Sequence, residues 1–234
     1  MRIKQILIKK KTYDLYSEIV AYIAAIFVKL FIFLRLTPNM VSFLGILCVL
    51  GSAVSFAFNL NFLAVFLLYF GLVMDFADGI LARCTGKVTK YQAVYLERIY
   101  HELAYAFLFI GIGFGTGPIG ILFGFICAIS ILCTSYLFQL KNWILSSFAN
   151  QDVKEDNFND IGMNKTRRKL FNIASIPTKY IKSILFFAVI INATISDYTL
   201  AILLILYTKY LILRFPAYLY LNYKTLGGFE KCVQ

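Results

Sequence analysis

Charged residues are scarce in this chain, and their scarcity excludes an ordinary soluble domain. Only 15% of the 234 residues are Asp, Glu, Lys or Arg, whereas 60% are hydrophobic. Soluble domains carry about 25% charged residues, so the composition indicates a protein that crosses a membrane several times. Acidic residues are scarcer than basic ones. The chain has 12 Asp and Glu and 23 Lys and Arg, so its formal net charge is +11.

The position of the basic residues and the small number of cysteines exclude two further classes of protein. Lys and Arg lie mostly between the apolar stretches. This placement favours membrane topology and anionic lipid headgroups as partners, and it argues against nucleic acid. The five cysteines are scattered and form no Cys-x-x-Cys pair. Neither a disulfide framework nor a zinc site is therefore expected.

Six apolar stretches predict an all-α, polytopic membrane protein with six transmembrane helices. They lie at about residues 39–58, 61–82, 92–112, 119–138, 182–195 and 198–218. A basic arm and a helical stretch interrupted by charges precede them, and this pattern favours an amphipathic helix in the membrane interface. The sequence thus divides into residues 1–36, the arm and interfacial helix, and residues 37–234, the transmembrane domain.

The distribution of Lys and Arg predicts which helix ends face the cytoplasm. All four segments on one side carry basic residues, whereas the three opposite turns, near Asn59, Gly115 and Asp197, contain no Lys or Arg. Short loops rich in Lys and Arg stay on the cytoplasmic side of a membrane. Both termini are therefore expected in the cytoplasm, together with the end of the second span.

That end of the second span carries the most specific pattern in the chain. Residues 75–83 read Asp-Phe-Ala-Asp-Gly-Ile-Leu-Ala-Arg. Asp75 and Asp78 are three residues apart, so a helix presents both carboxylates on one face, where a divalent cation would offset their repulsion and burial cost. Gly79 leaves room for a ligand near the backbone, and Arg83 is a fixed cation suited to phosphate. The alternative is a helix end whose acids simply face water.

A second group of polar side chains begins the third span. Glu97 and His101 are four residues apart and therefore share a helix face. The short turn before them makes the second and third spans antiparallel neighbours, which brings this face opposite the two aspartates. His101 is the only histidine in the chain, and its imidazole suits either a general base or a metal ligand. Glu102 is a further candidate to orient His101 or to replace it as a ligand.

The motif resembles the signature of the CDP-alcohol phosphatidyltransferases, D-x2-D-G-x2-A-R-x8-G-x3-D-x3-D. Its first half is matched residue for residue by Asp75, Asp78, Gly79, Ala82 and Arg83. Its second half departs, since the places of the glycine and of the last two acids are taken by Gln92, Leu96 and Tyr100. A one-residue insertion between Thr89 and Glu97 would restore the site, with Glu97 as the third acid and His101 as the fourth.

The resemblance implies an enzyme of phospholipid synthesis. Such enzymes transfer a phosphatidyl or other phospho-alcohol group from a CDP-linked donor to an alcohol acceptor and release CMP. The implied metal is Mg²⁺ or Mn²⁺, and its implied ligands are Asp75, Asp78, Glu97 and His101. His101 is also the implied catalytic base. The implied nucleotide contacts are Asn39, Ser42, Asp78, Gly79, Ala82, Arg83 and Thr89.

The first two of these nucleotide contacts rest on a separate segment. Asn39 and Ser42 belong to a Thr-Pro-Asn-x-x-Ser sequence that also looks like the family's pattern at the start of its first span. A simple helix cap is the alternative for this segment. Lys209 and Arg214 in the last span are candidates to bind an anionic acceptor or a lipid headgroup.

The expected partners are a CDP-linked donor, an alcohol acceptor of unknown identity and membrane lipids, and a homodimer is left open. Two alternatives to the main function are also left open. One is a divergent subfamily that uses another activated alcohol. The other is a membrane transporter or scaffold that has lost catalysis, although the intact Asp75, Asp78 and Arg83 argue against such a loss.

Overall fold

The computed structural model describes residues 15–86, 95–96, 99–148, 181–194 and 199–233, and these residues are all-helical apart from short turns. The predicted basic arm lies outside this range. In chain order the helices are α1 (Leu15–Phe33), α2 (Pro38–Ala57), α3 (Asn61–Thr85), a π-helical turn (Ile99–Ala104), α4 (Tyr105–Gly115), α5 (Pro118–Phe148), α6 (Ile181–Thr194) and α7 (Thr199–Val233).

Four of the described helices are long and apolar enough to cross a membrane. The corresponding segments are Pro38–Ala57, Asn61–Thr85, Pro118–Leu137 and Thr199–Ala217. The apolar helices at Ile19–Phe33 and Ile99–Gly115 are shorter, and α6 has 14 residues. The all-α prediction is thus confirmed for the described residues, which contain four candidate membrane spans. The count of six spans and the interfacial placement of α1 stay predictions.

Two helices extend beyond the ends that the sequence predicts. The fourth span was expected to end at residue 138, but α5 continues to Phe148 because residues 139–148 contain no Gly or Pro to stop it. The last span was expected to end near residue 218, but α7 continues to Val233 and contains Pro216. A proline fixes φ near the helical value, so a helix can continue past it with the loss of one backbone hydrogen bond.

The hairpin of α2 and α3 positions the motif. Asn59 has a left-handed φ of 59°, and the N–H of Leu60 then donates to the carbonyl oxygen of Ser55 at 2.8 Å, which closes α2 and reverses the chain. Glycines allow the two helices to lie close together. A Cβ added to Gly45 would lie 3.3 Å from Met74 Cβ, and one added to Gly71 would lie 3.0 Å from Val49 Cγ2. The first turns of α2 therefore lie beside the last turns of α3.

Small residues also pack α4 against its neighbours. A Cβ added to Gly111 would lie 2.1 Å from the backbone oxygen of Ala53 in α2. A Cβ added to Gly113 would lie 2.6 Å from the backbone oxygen of Gly120 in α5. Such close approach of backbones is how helices associate in a membrane, where lipid removes the hydrophobic drive between them. These contacts fix the position of α4 relative to the hairpin.

The helix α1 packs along α3 through one face. Val20, Ala24, Val28 and Phe31 recur at helical spacing and are buried with residues of α3 such as Leu72. The opposite face is apolar yet exposed, with Ile19, Tyr22, Ile23, Ile26 and Leu30. An apolar exposed face suits lipid rather than water. The helix α1 thus supports the apolar side of α3, which includes Ala77, Ile80 and Leu81.

Candidate active site

The motif occupies the last three turns of α3, and the two faces of this helix differ. Met74, Ala77, Ile80 and Leu81 are buried in a cluster with residues of α1 and α2. The other face carries the half-buried side chains of Asp75, Asp78, Gly79 and Ala82. Arg83 is exposed at the end of the helix. The apolar packing thus turns both carboxylates toward a partly open surface.

Ser42 in α2 contacts the second of the two aspartates. Its Oγ donates a hydrogen bond to Asp78 Oδ2 and also lies 3.1 Å from the backbone oxygen of Pro38. The start of α2 is capped by Thr37, whose side chain accepts from the N–H of Met40. The predicted helix cap is therefore present. The hydroxyl of Ser42 thus contacts a carboxylate of the motif, and its expected contact with the nucleotide stays a prediction.

His101 contacts the first aspartate. Its Nε2 lies 3.7 Å from Asp75 Oδ1, with 48% of the imidazole and 22% of the carboxylate exposed. Two tyrosines hold the ring. Tyr100 meets it edge-on at 4.9 Å between centroids, and Tyr105 stacks on it at 6.5 Å with 11° between the planes. The sole histidine is thus held in place at the edge of the acidic site.

A π-helical turn, Ile99–Ala104, carries this histidine. A π-turn holds one residue more than an α-helical turn and occurs often at functional sites. Within this turn Tyr100 is only 3% exposed, and its Cε2 is 3.7 Å from the position of an added Gly45 Cβ. The turn therefore directs Tyr100 into the core beside α2 and leaves His101 facing Asp75.

Glu102 has a partner on another helix. Gln139 in α5 donates from Nε2 to both carboxylate oxygens of Glu102, at 3.0 and 2.8 Å. This contact ties the π-turn to the C-terminal half of α5. No sequence signal pointed to Gln139, because a contact between distant helices has no local spacing pattern. Tyr105 was also missed, although its four-residue distance from His101 could have indicated contact.

Gly79 and Arg83 leave space on the motif face. Among the described residues, a Cβ added to Gly79 would meet only Arg83 Nη1, at an ordinary contact distance of 3.5 Å. No described backbone or core side chain thus requires a glycine at this position. The space beside Gly79 is what the approach of a ligand to the helix would need.

The remaining predicted site residues divide into two groups. Asn39 is half-buried in the first turn of α2, and Ala82 is half-buried between Gly79 and Arg83 along the motif face. Thr89 and Glu97 lie outside the described residues. The structure therefore brings together Asp75, Asp78, Ser42 and His101, and the proposed roles of Thr89 and Glu97 stay predictions.

The donor atoms on this face fit a divalent cation. Two carboxylates three residues apart offer the hard oxygen ligands that Mg²⁺ prefers. Among the described residues, no group of three or more His, Cys, Asp and Glu side chains converges closely enough to hold a metal. The third carboxylate predicted for the site, Glu97, lies outside that range. A complete ligand set is therefore a prediction, whereas the aspartate pair is present.

The comparison with protein families decides the identity of the fold. A family model described as CDP-alcohol phosphatidyltransferase matches residues 35–212, which is more than half of the chain. The chain belongs to the CDP-alcohol phosphatidyltransferase family. The family consists of membrane transferases of phospholipid biosynthesis that generally depend on a divalent metal. The matched range contains α2, α3 and His101, so the site described above lies inside the phosphatidyltransferase domain.

Two relatives agree with this assignment. Archaetidylinositol phosphate synthase of Pyrococcus horikoshii is 35% identical over 82 residues, which cover 35% of this chain and 43% of that protein. The match thus spans less than half of that relative's length. Phosphatidylinositol phosphate synthase of Mycobacterium tuberculosis, in a crystal structure with CDP-DAG bound, superposes with a TM-score of 0.61 over 88% of this phosphatidyltransferase and 94% of that chain. At 17% identity this likeness shows the fold alone.

Proposed function

We propose that this phosphatidyltransferase transfers a phospho-alcohol group from a CDP-linked lipid to the hydroxyl of an acceptor and releases CMP. The observation that carries the proposal is the motif face of α3. The two carboxylates, the open space at Gly79 and the cation of Arg83 lie on consecutive turns of one helix. The family match over residues 35–212 supplies the class of reaction.

The donor's diphosphate would lie along this face. Arg83 presents a planar guanidinium that suits a phosphate, and Gly79 allows the phosphate to approach the helix. Asn39, Ala82 and Thr89 complete the proposed nucleotide contacts. Asp75 and Asp78, together with Glu97, would hold Mg²⁺ or Mn²⁺. Such a cation, when bound, neutralises the charge of a diphosphate and of its leaving group.

His101 is the proposed base for the attacking hydroxyl. An acceptor oxygen would form a bond to the phosphorus that carries the lipid, and the bond from that phosphorus to the bridging oxygen would break. CMP leaves with the electron pair, and the hydroxyl proton passes to His101 Nε2. Imidazole is the side chain that most often serves as a general base near neutral pH. The two tyrosines that contact the ring fix its direction.

We extend the proposal to the acceptor, which is a phosphorylated polyol of the inositol phosphate kind. Both relatives are named as synthases of inositol phosphate lipids. Arg214 supports this assignment. It is half-buried in α7, with its guanidinium carbon 6.0 Å from the centroid of Tyr210. Lys209, the other candidate, is exposed.

The depth of Arg214 in the bundle supports the same assignment. Phe109 in α4 stacks on Tyr207 in α7 at 4.9 Å between ring centroids. Because the predicted spans alternate in direction, α4 and α7 run antiparallel. Seven residues from this contact toward the cytoplasm, the chain reaches Glu102 in the π-turn before α4 and Arg214 in α7. Seven residues correspond to about 10 Å on each helix. Arg214 is therefore expected at the level of the π-turn.

A panel of acceptors tests this proposal. Purified full-length protein in detergent micelles receives CDP-DAG, Mg²⁺ and one of inositol phosphate, inositol or glycerol phosphate. The new lipid is identified by mass spectrometry. Inositol phosphate is expected to give a phosphorylated lipid, and Arg214→Gln is expected to raise its KM by about 10-fold, the scale of a lost charge-assisted contact. A product formed only from unphosphorylated inositol would contradict the assignment of the acceptor.

A further inference from the structure

The first turns of α2 place one hydroxyl against the motif. Ser42 lies one turn before Gly45, where α2 and α3 lie close together. Its Oγ has two acceptors within hydrogen-bonding distance, Asp78 Oδ2 and the backbone oxygen of Pro38, the latter at 3.1 Å. A hydroxyl carries a single proton, so it donates to only one acceptor at a time.

Charge decides to which of these two acceptors the hydroxyl donates its hydrogen bond. A hydrogen bond to an ionised carboxylate is roughly twice as strong as one to a neutral carbonyl. The bond to Pro38 is of the kind that any helical serine can make with the residue four positions earlier. Ser42 therefore donates to Asp78. A donor on one carboxylate oxygen fixes the plane of the carboxylate and the direction in which the other oxygen points.

From this contact we infer that Ser42 is a positioning residue for Asp78. It holds the carboxylate in the orientation in which Asp78 binds the divalent metal, and it acts on the nucleotide only through that carboxylate. Residues that orient a metal ligand change metal affinity by about 10-fold to 100-fold when they are removed. The inference rests on the proposed function, because it requires Asp78 to be a metal ligand.

A titration with Mn²⁺ tests the inference without any donor or turnover. Full-length protein in detergent micelles is titrated, and the free ion is measured by electron paramagnetic resonance. Ser42→Ala is expected to weaken Mn²⁺ binding about 10-fold to 100-fold. Ser42→Thr, which keeps the hydroxyl, is expected to restore it. Should Ser42→Ala lower the yield of folded protein, the nearly isosteric Ser42→Cys makes the same comparison with a much weaker donor.

A second serine of the same helix provides the matched control. The hydroxyl of Ser55 donates to the backbone oxygen of Gly51 at 2.8 Å, near the other end of α2 and about 20 Å along the helix from Ser42. Ser55→Ala removes the same atom from the same helix and is expected to leave Mn²⁺ affinity unchanged. In an Asp78→Asn background, Ser42→Ala is expected to have no further effect, because the group that it positions no longer binds the metal.

The outcomes separate the inference from the function on which it rests. Ser42→Ala with wild-type Mn²⁺ affinity would overturn the inference, and a raised KM for CDP-DAG in that variant would make Ser42 a nucleotide contact instead. If the wild-type protein bound Mn²⁺ no better than Asp78→Asn, the metal-dependent function itself would be wrong, and the inference with it. If Ser42→Ala and Ser42→Thr both bound Mn²⁺ weakly, that result would also count against a role for the hydroxyl.

Discussion

At the scale of single residues, the two aspartates of the motif differ in their neighbours. Asp75 lies 3.7 Å from His101 Nε2, whereas Asp78 accepts a hydrogen bond from Ser42. Their sequence environment is similar, since both follow an apolar run on one helix. The difference comes from the helices that pack beside them, so the division of roles depends on tertiary structure.

Substitutions at the start of the third span test the proposed roles of Glu97 and His101. Glu97→Gln and His101→Asn are each expected to lower turnover by about 10²-fold or more, the scale of a lost acid–base group. Added Mg²⁺ is expected to restore part of the activity of Glu97→Gln, because that variant loses a ligand. It is not expected to restore His101→Asn, because that variant loses the base. Initial rates over a range of Mg²⁺ concentrations measure both.

Their neighbours Leu96 and Tyr100 are the controls for this comparison. Tyr100 is buried beside Gly45 and does not face Asp75, so Tyr100→Phe is expected to be mild, and so is Leu96→Ala. If added Mg²⁺ restored the activity of both Glu97→Gln and His101→Asn, His101 would be a metal ligand and not the base. Near-wild-type turnover in both would show that the one-residue insertion is wrong.

At the scale of helices, glycines with two different roles lie in the same bundle. Gly111 is required by packing, because an added Cβ would lie 2.1 Å from a backbone oxygen of α2. Gly79 faces open space beside Arg83. The sequence alone does not separate these roles, since each is a glycine within an apolar helix.

Alanine at these two glycines is therefore expected to have opposite effects. Gly111→Ala should destabilise the bundle by about 1–3 kcal/mol, because backbones cannot move aside as a flexible side chain can. Gly79→Ala should leave the midpoint of thermal unfolding unchanged or raise it, because alanine is favoured over glycine within a helix by about 1 kcal/mol. Gly79→Ala should nevertheless raise the KM for CDP-DAG, since its methyl group occupies the ligand's space.

The midpoint of thermal unfolding and the KM for CDP-DAG are measured on purified Gly111→Ala and Gly79→Ala. Gly51→Ala is a suitable control, because among the described residues its added Cβ would meet only Leu67 Cδ1, at 3.3 Å, which is the end of a flexible side chain. A Gly79→Ala protein with wild-type KM would contradict the placement of the donor along this face.

The sequence predicted the elements of the site better than the contacts between them. Helix order and the motif residues follow from apolar periodicity and from residue spacing, which are local. The contact from Ser42 to Asp78 spans 36 positions, and the contact from Gln139 to Glu102 spans 37. Such contacts depend on where glycines let helices approach. The π-turn was not predicted from the sequence either.

At the scale of the whole molecule, the net charge of +11 is distributed unevenly along the chain. The predicted outer turns lack Lys and Arg, which predicts that the motif and both termini lie on the cytoplasmic side. Nucleotides are cytoplasmic substrates, so this orientation agrees with a CDP-linked donor. The orientation itself stays a prediction.

Cysteine labelling tests the orientation. In a background without the native cysteines, Ser196→Cys is expected to react with an impermeant thiol reagent added outside intact cells. Asn157→Cys is expected to react only after the cells are opened. Both positions lie outside the described residues and in predicted turns. The reverse pattern of labelling would place the motif on the wrong side for a cytoplasmic donor.

The release of CMP tests the central claim most directly. Purified full-length protein is supplied with CDP-DAG labelled in the cytidine, and labelled CMP is measured with Mg²⁺ and with a chelator. We expect release that requires both the metal and the acceptor, and a fall of about 10²-fold or more in Asp75→Asn and Asp78→Asn. Ser130→Ala, a serine of α5 bonded within its own helix, should keep wild-type release. Folded wild-type protein that releases no CMP, or whose release is unchanged in both aspartate variants, would contradict the account.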